Sequence, residues 1–181
     1  MAGWKSKYDL EFKGLKEGLH EFSFEAGEKF FEHFENSPVN VGDVQLDVTL
    51  EKRSTFLKIY LKLKGRVELT CDRCLGEYRQ KIKNKAEVLV KFSELEQEDD
   101  VDVMWVFPDE HRLNLSQLIY EYIALAIPLK RVHPDKENGE SGCDPEMLNK
   151  LDDYVQPGNE ADDEENIDPR WEALRKLKNN N

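Results

Sequence analysis

The sequence predicts an α+β fold: an antiparallel, strongly curved sheet or partly open β-barrel, packed by one helix and followed by a short C-terminal helix. Three observations predict it. Two neighbouring segments carry sustained period-two patterning, with Val44, Leu46, Val48 and Leu50 on one face of the first and Leu57, Ile59, Leu61 and Leu63 on one face of the second, the mark of half-buried strands. A third extended segment, residues 77–92, puts Ile82, Ala86, Val88, Val90 and Phe92 on one parity. One stretch at helical spacing, Leu115, Leu118, Ile119, Tyr122 and Ile123, follows the strands. Short turns between successive strands favour antiparallel pairing over a doubly wound parallel sheet.

Taken in order, residues 8–12 alternate briefly and residues 19–26 alternate again, with Phe22 and Phe24 on one face. Residues 28–35 suggest a short helix with Phe30, Phe31 and Phe34 inward, stopped by Asn36-Ser37-Pro38, and with His33 at a surface position. On the long strand the face opposite Leu57–Leu63 carries Lys58, Tyr60, Lys62, Lys64 and Arg66, and Gly65 marks a bend or bulge. Val67 and Leu69 lead into Cys71-Asp72-Arg73-Cys74, and the chain turns at Leu75-Gly76. Residues 93–102 are an acidic connection and 103–107 one more strand. Asn114 is the expected cap of the 114–127 helix, with Gln117 completing a capping box and Pro128 ending it. From Arg131 the patterning fades. We expect one domain over residues 1–155, an acidic disordered linker over 156–168, and an amphipathic helix over 169–178. In that last helix Asp168 is the cap, Pro169 takes the first position, and Trp171, Leu174 and Leu177 form the apolar face.

The 181 residues suit one domain with tails, and the net charge of −12 hides a strong polarity. Residues 1–92 hold 17 basic against 15 acidic side chains, whereas residues 93–181 hold 9 against 23. Within the first part, residues 52–91 hold 12 basic and 4 acidic residues, a local field that a polyanion senses more than the total charge. No run of about 18 apolar residues is present, and the first residues lack the apolar core of a signal peptide, so the expected compartment is the reducing cytoplasm. There, three cysteines of which two form Cys-x-x-Cys point to metal or redox chemistry rather than a structural disulfide.

Cys71 and Cys74 supply half of a tetrahedral zinc site. Cys143 is the one cysteine left, and His133 lies ten residues before it in a loop that Pro134, Gly139 and Gly142 allow to turn back. Cys71, Cys74, His133 and Cys143 would make a Cys3His site tying the sheet to the loop after the helix. A metal-free pair of thiols is the alternative. A thioredoxin-like redox motif fits less well, because it sits at a helix start, and here an extended segment follows.

Lys58, Lys62, Lys64 and Arg66, with Tyr60 among them, form one basic ladder, and Lys81, Lys83 and Lys85 form another. Paired as a hairpin around the cysteine turn, the two ladders would share one surface, with Arg73 and Arg79 near its tip. A phosphate backbone would relieve the repulsion between like charges and release counterions, and Tyr60 could stack on a base. The competing explanation is a solvated face whose lysines protect a sheet edge. The sequence has no glycine-rich phosphate loop, nucleophile elbow or His-Glu-x-x-His, and its carboxylates cluster in solvated runs. We therefore expect a non-enzyme.

Leu69-Thr70-Cys71-Asp72-Arg73-Cys74-Leu75, Ile127-Pro128-Leu129-Lys130, the loop reaching Cys143 and the closing Asp168-Pro169-Arg170-Trp171 together resemble the bacterial YceD family, domain of unknown function family 177. The resemblance runs from about Tyr8 to Leu177 and rests on the order and spacing of these motifs. It implies a cytoplasmic protein needed for accumulation of 23S ribosomal RNA, partnered by ribosomal RNA or a pre-ribosomal particle. Many members of the family carry a second cysteine cluster after the Pro-Leu-Lys segment. Here His133 falls where its first cysteine is expected and Cys143 near a later one. Two other functions are compatible with the residues: an adaptor whose acidic tail and Trp171 helix engage a basic ribosomal protein, and a zinc-dependent DNA-binding regulator.

Overall fold

The computed structural model describes residues 3–95 and 102–154. The linker expected over 156–168 and the helix expected over 169–178 lie outside the described residues. A unit ending at Cys143 contains the sheet, and a second unit begins at Asp144.

The fold is α+β, built on an open five-stranded sheet in the order β2-β3-β4-β5-β6. These strands are β2 (Gly18–Ala26), β3 (Gly42–Lys52), β4 (Phe56–Thr70), β5 (Glu77–Phe92) and β6 (Val103–Val106). A separate two-stranded sheet joins β1 (Asp9–Glu11) to β7 (Arg112–Asn114). The period-two patterning sets the register. Val44, Leu46 and Leu50 of β3 and Leu57, Ile59 and Leu61 of β4 all point into the core, sharing it with Leu10, Phe31, Leu115, Ile119 and Ile123. A one-residue slip would expose the whole set. The Lys52 ammonium secures the sheet at one end by donating to the carbonyls of Phe12 and Leu15 at 2.8 and 2.9 Å.

Five details differ from the sequence expectations. The last strand pairing is parallel, Leu89 facing Val103 and Phe92 facing Val106. The chain needs to return by only about three residues, roughly 10 Å of strand, so the connection after Phe92 can be far shorter than a helical crossover. Gly65 is not a bulge. β4 pairs without interruption on both sides of it, and a Cβ there would sit 2.2 Å from the Asp43 carbonyl oxygen. Glycine is needed because β3 passes so close.

The helix expected over 114–127 is α2, Ser116–Leu125, and its capping box does not form. Asn114 Oδ1 does accept from the Ser116 backbone N–H at 3.2 Å. Gln117, however, donates forward to Glu121 at 2.8 Å instead of reaching back. The Asn114 amide is turned to the N-terminal segment, donating to the Lys5 carbonyl and to Asp9. The phenylalanine-rich helix is one turn only, α1 (Glu28–Phe31), and beyond Arg131 the chain does form a regular element, α3 (Pro145–Tyr154).

Candidate metal centre and basic face

β4 and β5 form one long hairpin, paired from Phe56 opposite Lys91 to Thr70 opposite Glu77. Its tip is the Cys-x-x-Cys turn. The Cys71 N–H donates to the Gly76 carbonyl at 2.9 Å, and the Leu75 N–H donates back to the Cys71 carbonyl at 3.0 Å. Leu75 takes the left-handed conformation at φ 59°, which turns the chain so that both cysteines face inward. Cys71 is 0 % exposed and Cys74 5 %.

The loop after α2 is clasped onto this turn. The Asp72 N–H donates to the Arg131 carbonyl at 2.7 Å, the Arg131 N–H donates to the Asp72 carboxylate at 3.0 Å, and the two side chains form an ion pair at 3.0 Å. Two residues on, the His133 ring lies over the turn. A Cβ on Gly76 would meet its Cε1 at 3.4 Å, and the Tyr78 ring centroid lies 5.0 Å from it. The loop then folds back tightly enough that a Cβ on Gly142 would be 2.3 Å from the Pro134 carbonyl oxygen. That fold-back delivers Cys143, 3 % exposed.

The four expected ligands therefore converge, with all four donor atoms within 4.8 Å of one another. Cys71 and Cys143 sulfurs are 3.7 Å apart, and the Cys74 sulfur is 3.3 Å from His133 Nδ1. Zinc bonds of about 2.3 Å to sulfur and about 2.0–2.1 Å to nitrogen, at tetrahedral angles, require edges of roughly 3.8 Å and roughly 3.6 Å. The donor set and its spacing thus fit a Cys3His metal site. All three cysteines are free thiols.

The electrostatics suit a cation. Burial pushes the Cys71 thiol up, but hydrogen bonds from the Cys74 and Arg73 backbone N–H groups and from His133 outweigh it and bring the thiol to about 5. Burial holds the Cys143 thiol above its ordinary value. Among the described residues the Tyr78 hydroxyl, buried beside the centre, has no hydrogen-bond partner, and burial, with Cys71 and Asp72 nearby, raises its pKa. Asp72, Arg131 and Tyr78 were not among the residues the sequence singled out. Asp72 sits in plain view inside the motif, but its partner lies 59 residues away, beyond any local pattern.

The second expected site is a face of the same hairpin. Three pairs of like charge lie directly opposite one another across β4 and β5: Lys62 and Lys85, Lys64 and Lys83, Arg66 and Lys81. Among the described residues none of these six cations closes an ion pair. Arg79 faces Glu68, and Arg73 is exposed in the cysteine turn. Lys64, Arg66, Arg79, Lys81 and Lys83, with Asp43 and Glu68, line a groove of about 800 Å³. Lys58 and Tyr60 are less available. Lys58 pairs with Glu87 at 2.6 Å, and its ammonium lies 5.7 Å from the Tyr60 ring centroid. The Tyr60 hydroxyl donates to Glu51 at 3.4 Å.

Among the described residues no helix is long and apolar enough to cross a membrane. Fold and site together define a class: a β-hairpin module whose tip gathers a Cys3His cluster and whose outer face presents a cationic ladder. The model of one family, the large ribosomal RNA subunit accumulation protein YceD, matches residues 59–178, and the chain belongs to the YceD family. No curated protein and no solved structure matches it.

Proposed function

We propose that the protein is a non-enzymatic cytoplasmic factor that supports accumulation of 23S ribosomal RNA during large-subunit assembly. In this reading it binds RNA through the outer face of the β4–β5 hairpin, and zinc held by Cys71, Cys74, His133 and Cys143 fixes the hairpin tip to the 131–143 loop. The family description supports the ribosomal role. Zinc would supply a structural cross-link, since all four ligand positions are filled by protein side chains.

The observation that carries RNA contact is the row of three unpaired cation pairs. Edge protection accounts for lysines on β5, which among the described residues has no paired neighbour beyond β4 until Leu89. It does not account for Lys62, Lys64 and Arg66, which lie on a strand paired on both sides. Like charges placed opposite each other cost stability, and an anionic backbone laid along them recovers it through counterion release.

The experiment is binding to fragments of 23S ribosomal RNA across a salt series, with duplex DNA as competitor. Binding that weakens steeply with salt and survives the competitor supports the reading. No binding at low salt refutes RNA contact and turns attention to a ribosomal protein as the partner. Displacement by DNA favours the DNA-binding alternative. Metal analysis of protein purified without chelator tests the zinc, with near-stoichiometric zinc expected.

A further inference from the structure

The main sheet ends on one side at β2, and that edge carries no further strand among the described residues. The direction of its free backbone groups follows from the ladder. Just before β3, the Val41 carbonyl accepts from the Glu68 N–H at 2.8 Å, so the odd-numbered residues of β3 bond to β4 and the even-numbered ones to β2. By the same alternation Leu19, Glu21, Ser23 and Glu25 turn their backbone groups outward. The Tyr8 hydroxyl takes the Glu25 carbonyl at 2.9 Å. The outward groups of Leu19, Glu21 and Ser23 have no protein partner among the described residues. The side chains along this edge are open too. Phe22 and Phe24 face the core beside Val48 and Leu46. Those two β3 side chains are 1 % and 0 % exposed, whereas Phe22 and Phe24 are only half-buried. On the other face Glu21 and Glu25 are exposed, and Leu19 and Ser23 stand opposite Glu51 and Asp47 of β3. The outer face of the sheet therefore changes sign, acidic on β2 and β3 and cationic on β4 and β5.

We propose that the β2 edge takes up an extended segment of a partner protein as a further strand, one that alternates apolar residues with lysine or arginine. Its backbone would pair with Leu19, Glu21 and Ser23, its apolar side chains would cover Phe22 and Phe24, and its cations would lie across from Glu21 and Glu25. Charged residues on an edge strand commonly serve to block pairing, and here they block two kinds of partner. A second copy is disfavoured, because in the central two-fold register, Ser23 on Ser23, Glu21 of each copy faces Glu25 of the other, and like charges directly opposite cost stability. A nucleic acid is repelled by the same carboxylates. A cationic strand is the partner they attract, so the edge is selective rather than closed. The proposal goes beyond the RNA reading and does not depend on it, since the nearest cation row is on β4, two strands away from β2.

The test uses the full chain and four end-capped peptides that match the nine residues of β2 in length. The first alternates valine and lysine. The second is its fully N-methylated form, which keeps the side chains but cannot donate backbone hydrogen bonds. The third has glutamate in place of lysine, and the fourth sorts the valines and lysines into two blocks. The first should bind, the second at least about tenfold more weakly, as expected for the loss of one or two net hydrogen bonds, the block peptide more weakly than the first, and the glutamate peptide not at all. Ser23→Pro removes an N–H that points to the edge and spares the β3 ladder, and it should abolish binding. Should thermal unfolding show that variant to be unfolded, Glu21→Lys/Glu25→Lys should reverse the preference toward the glutamate peptide, and an unchanged preference for lysine overturns the proposal. Equal affinity for the first and second peptides, or wild-type affinity in a folded Ser23→Pro, also overturns it, since charge alone then holds the peptide. Dimerisation that Ser23→Pro abolishes assigns the edge to a second copy and overturns it. No binding of any peptide does the same and leaves the RNA reading untouched.

Discussion

If the cation rows serve a partner, removing their repulsion should help the protein and harm its function. Lys83→Glu with Lys85→Glu is the sharpest perturbation, because Lys83 faces Lys64 and Lys85 faces Lys62. The double change turns two repulsive pairs into two attractive ones. Each exposed cross-strand pair of charges is worth roughly 0.2–1 kcal/mol, and exposed ion pairs add little more, so the free protein should gain about 0.5–2 kcal/mol. For a chain of this size that is about 1–8 °C in Tm. The gain should nearly vanish near 1 M salt, where the screening length falls to about 3 Å. RNA binding should move the other way. Two lost phosphate contacts lower the slope of log affinity against log salt by about 1.4, and the new carboxylates reduce affinity further. Thermal unfolding at low and high salt, with RNA titrations on the same samples, reads both effects. A variant that is less stable at low salt, or that keeps wild-type affinity and salt slope, refutes the argument that these rows are held apart for an anion.

On the proposed zinc reading, Cys143→Ser should abolish metal binding and loosen the 131–143 loop, measured as lost zinc and as faster hydrogen exchange in that loop. In metal-free protein one thiol should titrate near pH 5, read by ultraviolet thiolate absorbance, and Cys71→Ala should abolish that step. The sign follows from the depressed value. The Cys71 contribution is present above the ordinary thiol range and is lost as pH falls through about 5. Tyr8 titrates in the opposite sense, since burial and then Glu25 raise its pKa. Its contribution is complete below about pH 10 and lost as pH rises, and Tyr8→Phe, which removes the 2.9 Å bond to the Glu25 carbonyl, should cost about 1 kcal/mol in urea unfolding. Gly65→Ala should destabilise by roughly 1–3 kcal/mol, because its Cβ would meet the backbone of β3 at 2.2 and 2.6 Å.

The strands were legible because burial on one face imposes a period of two, and four of the five strands in the main sheet carry it over nine residues or more. The four metal-binding candidates were legible for a different reason. Few residue types can hold a soft cation, and the chain offers three cysteines and four histidines to choose from. What the sequence concealed depends on pairs distant along the chain. The parallel β5–β6 pairing turns on where a short connection lands. The Asp72–Arg131 clasp joins residues that no periodicity relates. Trp105 reads from sequence as one apolar residue in a short buried run, and only its register beside Lys91 shows that it belongs to the basic face. Asn114 was recognisable as a cap, but its amide serves the N-terminal segment 105 residues away, and no local rule gives Gln117 its forward partner.

The cysteine cluster and the cation rows belong to one mechanical unit. Arg66 and Lys81 are only a few residues from Cys71 and Cys74 on the two arms of a single hairpin, and that hairpin pushes three pairs of like charges together. The three like-charge pairs begin four residues short of the tip, and among the described residues β5 has no strand on its far side there. The tip is held by the turn hydrogen bonds of Cys71 and by the Asp72–Arg131 clasp, and four side chains that could hold a metal converge beside it. A metal held there, as proposed, would cross-link the end of the hairpin and keep the cations in register. On the proposed reading, metal removal should weaken RNA binding, and charge-relieving changes in the rows should lessen the protein's dependence on metal. Measuring the fall in Tm on chelation for wild type and for Lys83→Glu/Lys85→Glu decides it. An equal fall in both would show that the cluster and the rows act independently.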